Sequence, residues 1–203
     1  MNKNKIEKLW REILIEIGED PEREGLLETP KRVAKMYEEI FRGYDESQKP
    51  KVTVFNNGVD GIVCDEMISD TGSFYSHCEH HAVTFFGKYI FAYIPNPKGK
   101  ILGISKVARV VDYFSAKLQI QERLVHEVVE YIWDALCLDC KEYPPLGMAM
   151  YMNGSHLCKE MRGVKKKGKM TTKILKGNFK NIDSTRQEFL RMVWWQTHTK
   201  IKK

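Results

Sequence analysis

Residues that hold transition metals or move protons crowd into one tetrapeptide, Cys78-Glu79-His80-His81, and two of the same types return in His156-Leu157-Cys158. Cysteine thiolate and neutral imidazole are the ligands Zn²⁺ prefers, and a catalytic zinc keeps three protein ligands so that water can take the fourth position. The two stretches can supply such a set with histidines to spare. A histidine beside the metal that does not bind it is placed to transfer protons near neutral pH. In a tight turn, Cys78 and His81, three apart, lie on the same side while His80 points in an adjacent direction. In an extended segment, His156 and Cys158, two apart, share a face. Cys158 can then complete a Cys-His-Cys set, leaving His80 and His156 beside the open position.

The other cysteines offer less. Cys137-x-x-Cys140 closes an apolar helical pattern without a second cysteine pair at zinc-ribbon spacing and reads as helix-end packing, while Cys64, alone in a β-rich run, reads as structural. A chain of 203 residues can bury one substantial core. No apolar run approaches the roughly 20 residues that span a bilayer, and the start, Met1 to Trp10, lacks the apolar core of a secretory signal. The expected setting is cytoplasmic, with reduced thiols and no membrane partner. A net charge of +6 suggests an anionic partner without choosing between nucleic acid and a phosphorylated small molecule. The densest cluster, Lys165-Lys166-Lys167-Gly168-Lys169, reads as a solvated loop.

Apolar periodicity outlines the elements that must position these residues. Ile6, Leu9, Trp10, Ile13, Leu14 and Ile17 carry the spacing of an amphipathic helix that stops at Gly18. Thr29-Pro30 opens a second helix, with Val33, Met36, Tyr37, Ile40 and Phe41 on one face. Lys31 and Arg32 fall in its first turn, where the helix dipole disfavours cations, a conflict that a bound anion would relieve. Residues 1–48 are thus predicted to form an N-terminal helical segment, and 49–203 an α+β domain. Within the latter, Asp70-Thr71-Gly72 reads as a turn. Along Thr84 to Ile94, Tyr89, Phe91 and Tyr93 alternate with Ile90, Ala92 and Ile94, so both strand faces are expected to be covered. Ser105 reads as the cap of a helix bearing Val107, Val110, Val111 and Phe114, and a second helix carries Leu124, Val128, Val129, Ile132 and Leu136. Leu146 to Tyr151 and Met170 to Phe179 read as strands, and Ser184 to Gln187 as a capping box before a last helix. This order predicts an antiparallel sheet with helices packed on one face.

Five blocks, in order, carry a resemblance. Cys78-Glu79-His80-His81, Gly103-Ile104-Ser105-Lys106-Val107-Ala108-Arg109, Gln121-Glu122-Arg123-Leu124, His156-Leu157-Cys158 and Met161-Arg162-Gly163-Val164 resemble the signature of GTP cyclohydrolase I, the zinc enzyme that opens pteridine and folate biosynthesis. The similarity extends from Glu28-Thr29-Pro30 to Thr185-Arg186-Gln187-Glu188-Phe189-Leu190. It implies the tunnelling fold, zinc on Cys78, His81 and Cys158, and conversion of GTP and water to formate and 7,8-dihydroneopterin triphosphate. It further implies acid/base roles for His80 and His156 and a ribose contact for Ser105. Guanine recognition would fall to Glu122 with Gln121, since one carboxylate can accept from both N1–H and the 2-amino group. Lys106, Arg109 and Arg162 would bind the triphosphate, with Arg32 supplied from a neighbouring subunit of a homodecamer. Two rivals differ in kind. A tunnelling-fold enzyme acting on another purine or pterin, such as the nitrile reductase of deazaguanine synthesis, is the first; no cysteine stands where that reductase's nucleophile would, and a full zinc set is present instead. A zinc-stabilised nucleic-acid-binding module would account for the basic charge but would leave Gln121-Glu122 and two metal-free histidines without a purpose. Glu79 has no role in either reading.

Overall fold

The computed structural model describes residues 1–138 and 141–198, so Cys140 of the Cys-x-x-Cys pair lies outside the described residues. The chain opens with α1 (Lys3–Glu16) and α2 (Thr29–Ile40), followed by 3-10 turns at Arg42–Tyr44 and Glu46–Gln48. Next come β1 (Val54–Asn56), β2 (Ile68–Cys78), β3 (Thr84–Ile94), β4 (Lys100–Leu102), α3 (Ser105–Ser115), β5 (Leu118–Gln119) and α4 (Gln121–Leu138). The last third comprises β6 (Gly147–His156), α5 (Leu157–Glu160), β7 (Lys169–Gly177), α6 (Asn178–Asn181) and α7 (Asp183–His198).

The first helix begins where the Asn2 side chain accepts from the Lys5 N–H, and the chain leaves it through Gly18 at φ +88°. In that left-handed conformation glycine has no Cβ to clash. α1 and α2 pack through the edge-on pair Trp10–Tyr37, whose ring centroids lie 6.2 Å apart. Gly43 then docks this helical segment onto the rest: its N–H donates to Ala116 O, and a Cβ there would lie 2.4 Å from Tyr113 O.

Five strands form one sheet in the order β5-β2-β3-β6-β7, antiparallel except for the short parallel pairing of β2 with β5. Successive side chains of a strand point to opposite faces, and β3 uses both. Phe85, Tyr89, Phe91 and Tyr93 join Val107, Val110 and Val111 of α3 and Leu124, Val128 and Ile132 of α4 in the main core. Ile90 and Ala92 point the other way, where with Ala149 they meet Phe179, Phe189 and Val193. The two-sided apolar pattern of β3 is therefore real. The long helices α3 and α4 cover one face as expected, and α6 and α7 also cover part of the other. Among the described residues no helix is long and apolar enough to cross a membrane.

Three local expectations change. α7 already starts at Asp183, so Ser184 lies inside the helix instead of capping it. β2 runs straight through Asp70-Thr71-Gly72, because the glycine accommodates a cross-strand neighbour instead of making a turn. A Cβ at Gly72 would meet the Tyr89 ring at 2.6 Å, the close approach for which a strand interior uses glycine. Ser105 is the first residue of α3, the N-cap position belongs to Ile104, and no side chain caps that helix. The Ser105 hydroxyl is consequently not spent on the backbone.

The α7 anchor can be tested directly. Phe189 is fully buried and meets Phe179 edge-on at 5.6 Å, so Phe189→Ala should cost about 3–5 kcal/mol. The check is a lowered denaturant midpoint.

Candidate metal and proton-transfer site

β3 lies between β2 and β6, and the register sets His77 opposite Thr84 and Phe85 opposite His156. The ends of β2 and β6 therefore flank the start of β3. Beyond Cys78 the chain reverses tightly: Ala82 N–H donates to Cys78 O, Cys78 N–H donates to Val83 O, and Ala82 adopts φ +53°. On the far side, β6 ends at His156 and Cys158 sits in the one-turn helix α5. His156 and Cys158 thus do not share one extended stretch; the change from strand to helix re-aims the cysteine. The outcome is a convergence: the ligand atoms of Cys78, His81 and Cys158 all lie within 4.8 Å of one another.

Two sulfurs and one imidazole nitrogen make a donor set suited to Zn²⁺ and poor for hard cations. Burial, reinforced by the neighbouring Cys78 thiol, raises the Cys158 thiol above its ordinary pKa. A metal would take the place of that proton. His81 Nδ1 lies 3.9 Å from Cys78 Sγ and so faces the cluster. Its Nε2 is 2.7 Å from Arg162 Nη1; a guanidinium only donates, so Nε2 accepts in this arrangement.

His80 and His156 lie beside the cluster and outside its ligand set. His80 Nδ1 is 3.7 Å from Cys78 Sγ. The His156 ring stacks on Phe85, with centroids 4.6 Å apart and planes 6° from parallel, and its Nε2 lies 3.0 Å from Gln121 Oε1. Burial lowers His156 below the usual imidazole value, opposed by the carboxylates of Glu122 and Glu160. Gln121 is fully buried, whereas Glu122 beside it is exposed in the first turn of α4.

Four expected substrate contacts stand apart. Ser105 lines an open groove of about 330 Å³ with Asp70, Gly72, Ser73 and Tyr89, at the end of β2 remote from Cys78. Ser73 and Cys78 are five residues apart on that strand, roughly 16 Å at its rise per residue. Lys106 and Arg109 follow Ser105 on α3, and Arg32 is exposed at the start of α2. Among the described residues Arg32, Lys106 and Arg109 form no ion pair. Lys165, Lys166 and Lys167 are exposed between α5 and β7, as a solvated loop should be.

Sequence reasoning left Glu79 idle, and the structure gives it a partner. Its carboxylate accepts from Arg123 Nη1 at 2.7 Å, and its N–H donates to Gln119 O. The turn that follows Cys78 is thereby tied to β5 and to the first turn of α4. The available signal was Arg123 itself, directly after Glu122.

Residues 6–194 match the family described as GTP cyclohydrolase I. A relative named GTP cyclohydrolase 1 from Caldanaerobacter subterraneus subsp. tengcongensis is 45% identical over 194 residues, covering 95% of this chain and 97% of its own. Another of that name, from Sulfurihydrogenibium sp., is 44% identical and covers 99% of both chains. The bifunctional protein FolKE of Lactococcus lactis subsp. lactis is 46% identical over 93% of this chain, which spans 52% of that relative.

The Glu79–Arg123 pair carries its own pH signature. Arg123 holds the Glu79 carboxyl below the usual glutamate range, so its stabilisation is present above the unfolded-state pKa and is lost as pH falls through the folded-state pKa. Glu79→Gln should lower the melting temperature at neutral pH, and the difference from the parent should close on acidification below the carboxylate range.

Proposed function

The chain belongs to the GTP cyclohydrolase I family, and from that premise we propose that it is a zinc-dependent hydrolase converting GTP and water to formate and 7,8-dihydroneopterin triphosphate, the first step of pterin and folate-type biosynthesis. The observation that carries this reading is the convergence of Cys78, His81 and Cys158, with His80 and His156 left free beside them. Zinc held by these three residues would supply the Lewis acidity that activates water for attack at C8 of guanine.

The chain's own groups do the rest. His80 donates a proton to the purine as its five-membered ring opens, and His156 moves the proton that accompanies release of formate. Glu122, exposed beside them, accepts from guanine N1–H and the 2-amino group. Arg162, already at the cluster, binds phosphate oxygens together with Lys106, Arg109 and Arg32, and Ser105 contacts the ribose. Because Ser105 lines a groove with Ser73, which is roughly 16 Å along β2 from Cys78, these last contacts come from a second copy of the chain. That Arg32, Lys106 and Arg109 form no ion pair among the described residues supports that assignment: each cation is open to an anion brought by a partner's site. Self-association, in the family's homodecamer, is therefore part of the proposal.

The deciding experiment incubates purified, zinc-replete protein with GTP and follows pterin absorbance and formate. One formate per GTP is expected, with both signals lost on chelation or in His80→Ala. Zinc-replete protein that leaves GTP intact refutes the reading. Cys158→Ser should also lower the zinc retained after dialysis, measured by elemental analysis, because one of the three ligands is weakened.

A further inference from the structure

Both ends of the Gln121 side-chain amide are engaged by the fold. Its Nε2 lies 3.3 Å from Met152 O, 3.1 Å from Met170 O and 2.9 Å from Thr172 Oγ1. All three groups can accept, and two are carbonyl oxygens that can do nothing else. Exchanging the amide oxygen and nitrogen would set the oxygen against those two carbonyls, so the orientation follows from the network itself. Oε1 must then face His156 Nε2, 3.0 Å away.

An amide oxygen only accepts, so His156 Nε2 must carry a hydrogen. In the neutral ring the other nitrogen, Nδ1, then holds the lone pair, and it makes no hydrogen bond among the described residues. Two further features hold this arrangement. The Phe85 face clamps the plane of the ring. Gly154 leaves the space that Oε1 occupies, since a Cβ at that position would lie 2.5 Å from the oxygen.

We infer that Gln121 is a positioning residue that holds the neutral His156 ring in the Nε2–H tautomer, with Nδ1 bare, instead of a contact to guanine. The use made of that ring rests on the proposed function; the tautomer does not.

Magic-angle-spinning NMR of ¹⁵N-histidine-labelled protein, with His156 assigned through its contact with the Phe85 ring, reads the tautomer without turnover and without a variant. The neutral ring is expected to show a protonated Nε2 and a bare Nδ1; a protonated Nδ1 overturns the inference. Protein inactive on GTP would still give this answer, which separates the two failures. The positioning role is tested with Gly154→Ala, which crowds Oε1 and leaves Glu122 untouched. It should lower kcat for formate release by about 10-fold or more, the scale of a misplaced acid/base group, with KM for GTP nearly unchanged. A raised KM at constant kcat, or no change in either, refutes the role of Gln121.

Discussion

The site depends on β3 keeping its register with both neighbours. Cys78 and Cys158 are about eighty residues apart in the chain, and no local motif could bring them together. They meet because β3 pairs with β2 on one side and β6 on the other, and both pairings run to the same end of the sheet. Adjacent strands are about 4.8 Å apart, so two ladders hold the ends of β2 and β6 about 10 Å from each other, a gap that a turn and a one-turn helix can close. Slipping either ladder by one residue would turn the facing side chains to the opposite side of the sheet. The two-sided apolar pattern of β3 guards against such a slip. Tyr89, Phe91 and Tyr93 belong under α3 and α4, and Ile90 and Ala92 belong under α7, so no shifted register buries both sets.

The second organising point is the N-terminus of α4. Gln121 reaches across β6 and β7 to Met152, Met170 and Thr172, Glu122 projects into solvent, and Arg123 holds Glu79. Three consecutive residues thus face three directions, as successive positions on a helix must at about 100° per residue. One is anchored in the sheet, one stays available to a ligand, and one steadies the turn after Cys78. Both ends of the Gln121 amide are partnered, which is what lets a buried glutamine contribute order instead of the desolvation cost of an unpaired amide.

Much of this was legible in the sequence, for identifiable reasons. The convergence of Cys78, His81 and Cys158 was foreseeable because few uses exist for two cysteines and a histidine beside spare histidines, and the helices announce themselves by their apolar period. What stayed hidden depends on contacts distant in sequence. Asp70-Thr71-Gly72 has the composition of a turn, and only the Tyr89 ring opposite shows why a strand carries glycine there. Cys158 looked extended with His156 because a one-turn helix has too few residues to leave a period. Ser105 looked like a cap, as serine before an apolar helical stretch usually is, and only the position of Ile104 shows its hydroxyl to be free. The burial of Gln121 next to the exposed Glu122 could not be seen in two adjacent polar letters.

Gly154 offers no group to any ligand and no atom to any reaction, yet Gln121 Oε1 occupies the volume where its side chain would begin. Its backbone is not in the left-handed region, so the usual distinction between tolerated and forbidden glycine replacements does not apply. Every missense change of that codon introduces a Cβ, and even the smallest, alanine, takes up the contested space. The position therefore has no conservative replacement. A site can have its least forgiving residue where nothing reacts, because an absence of atoms is harder to substitute than a functional group with chemical relatives.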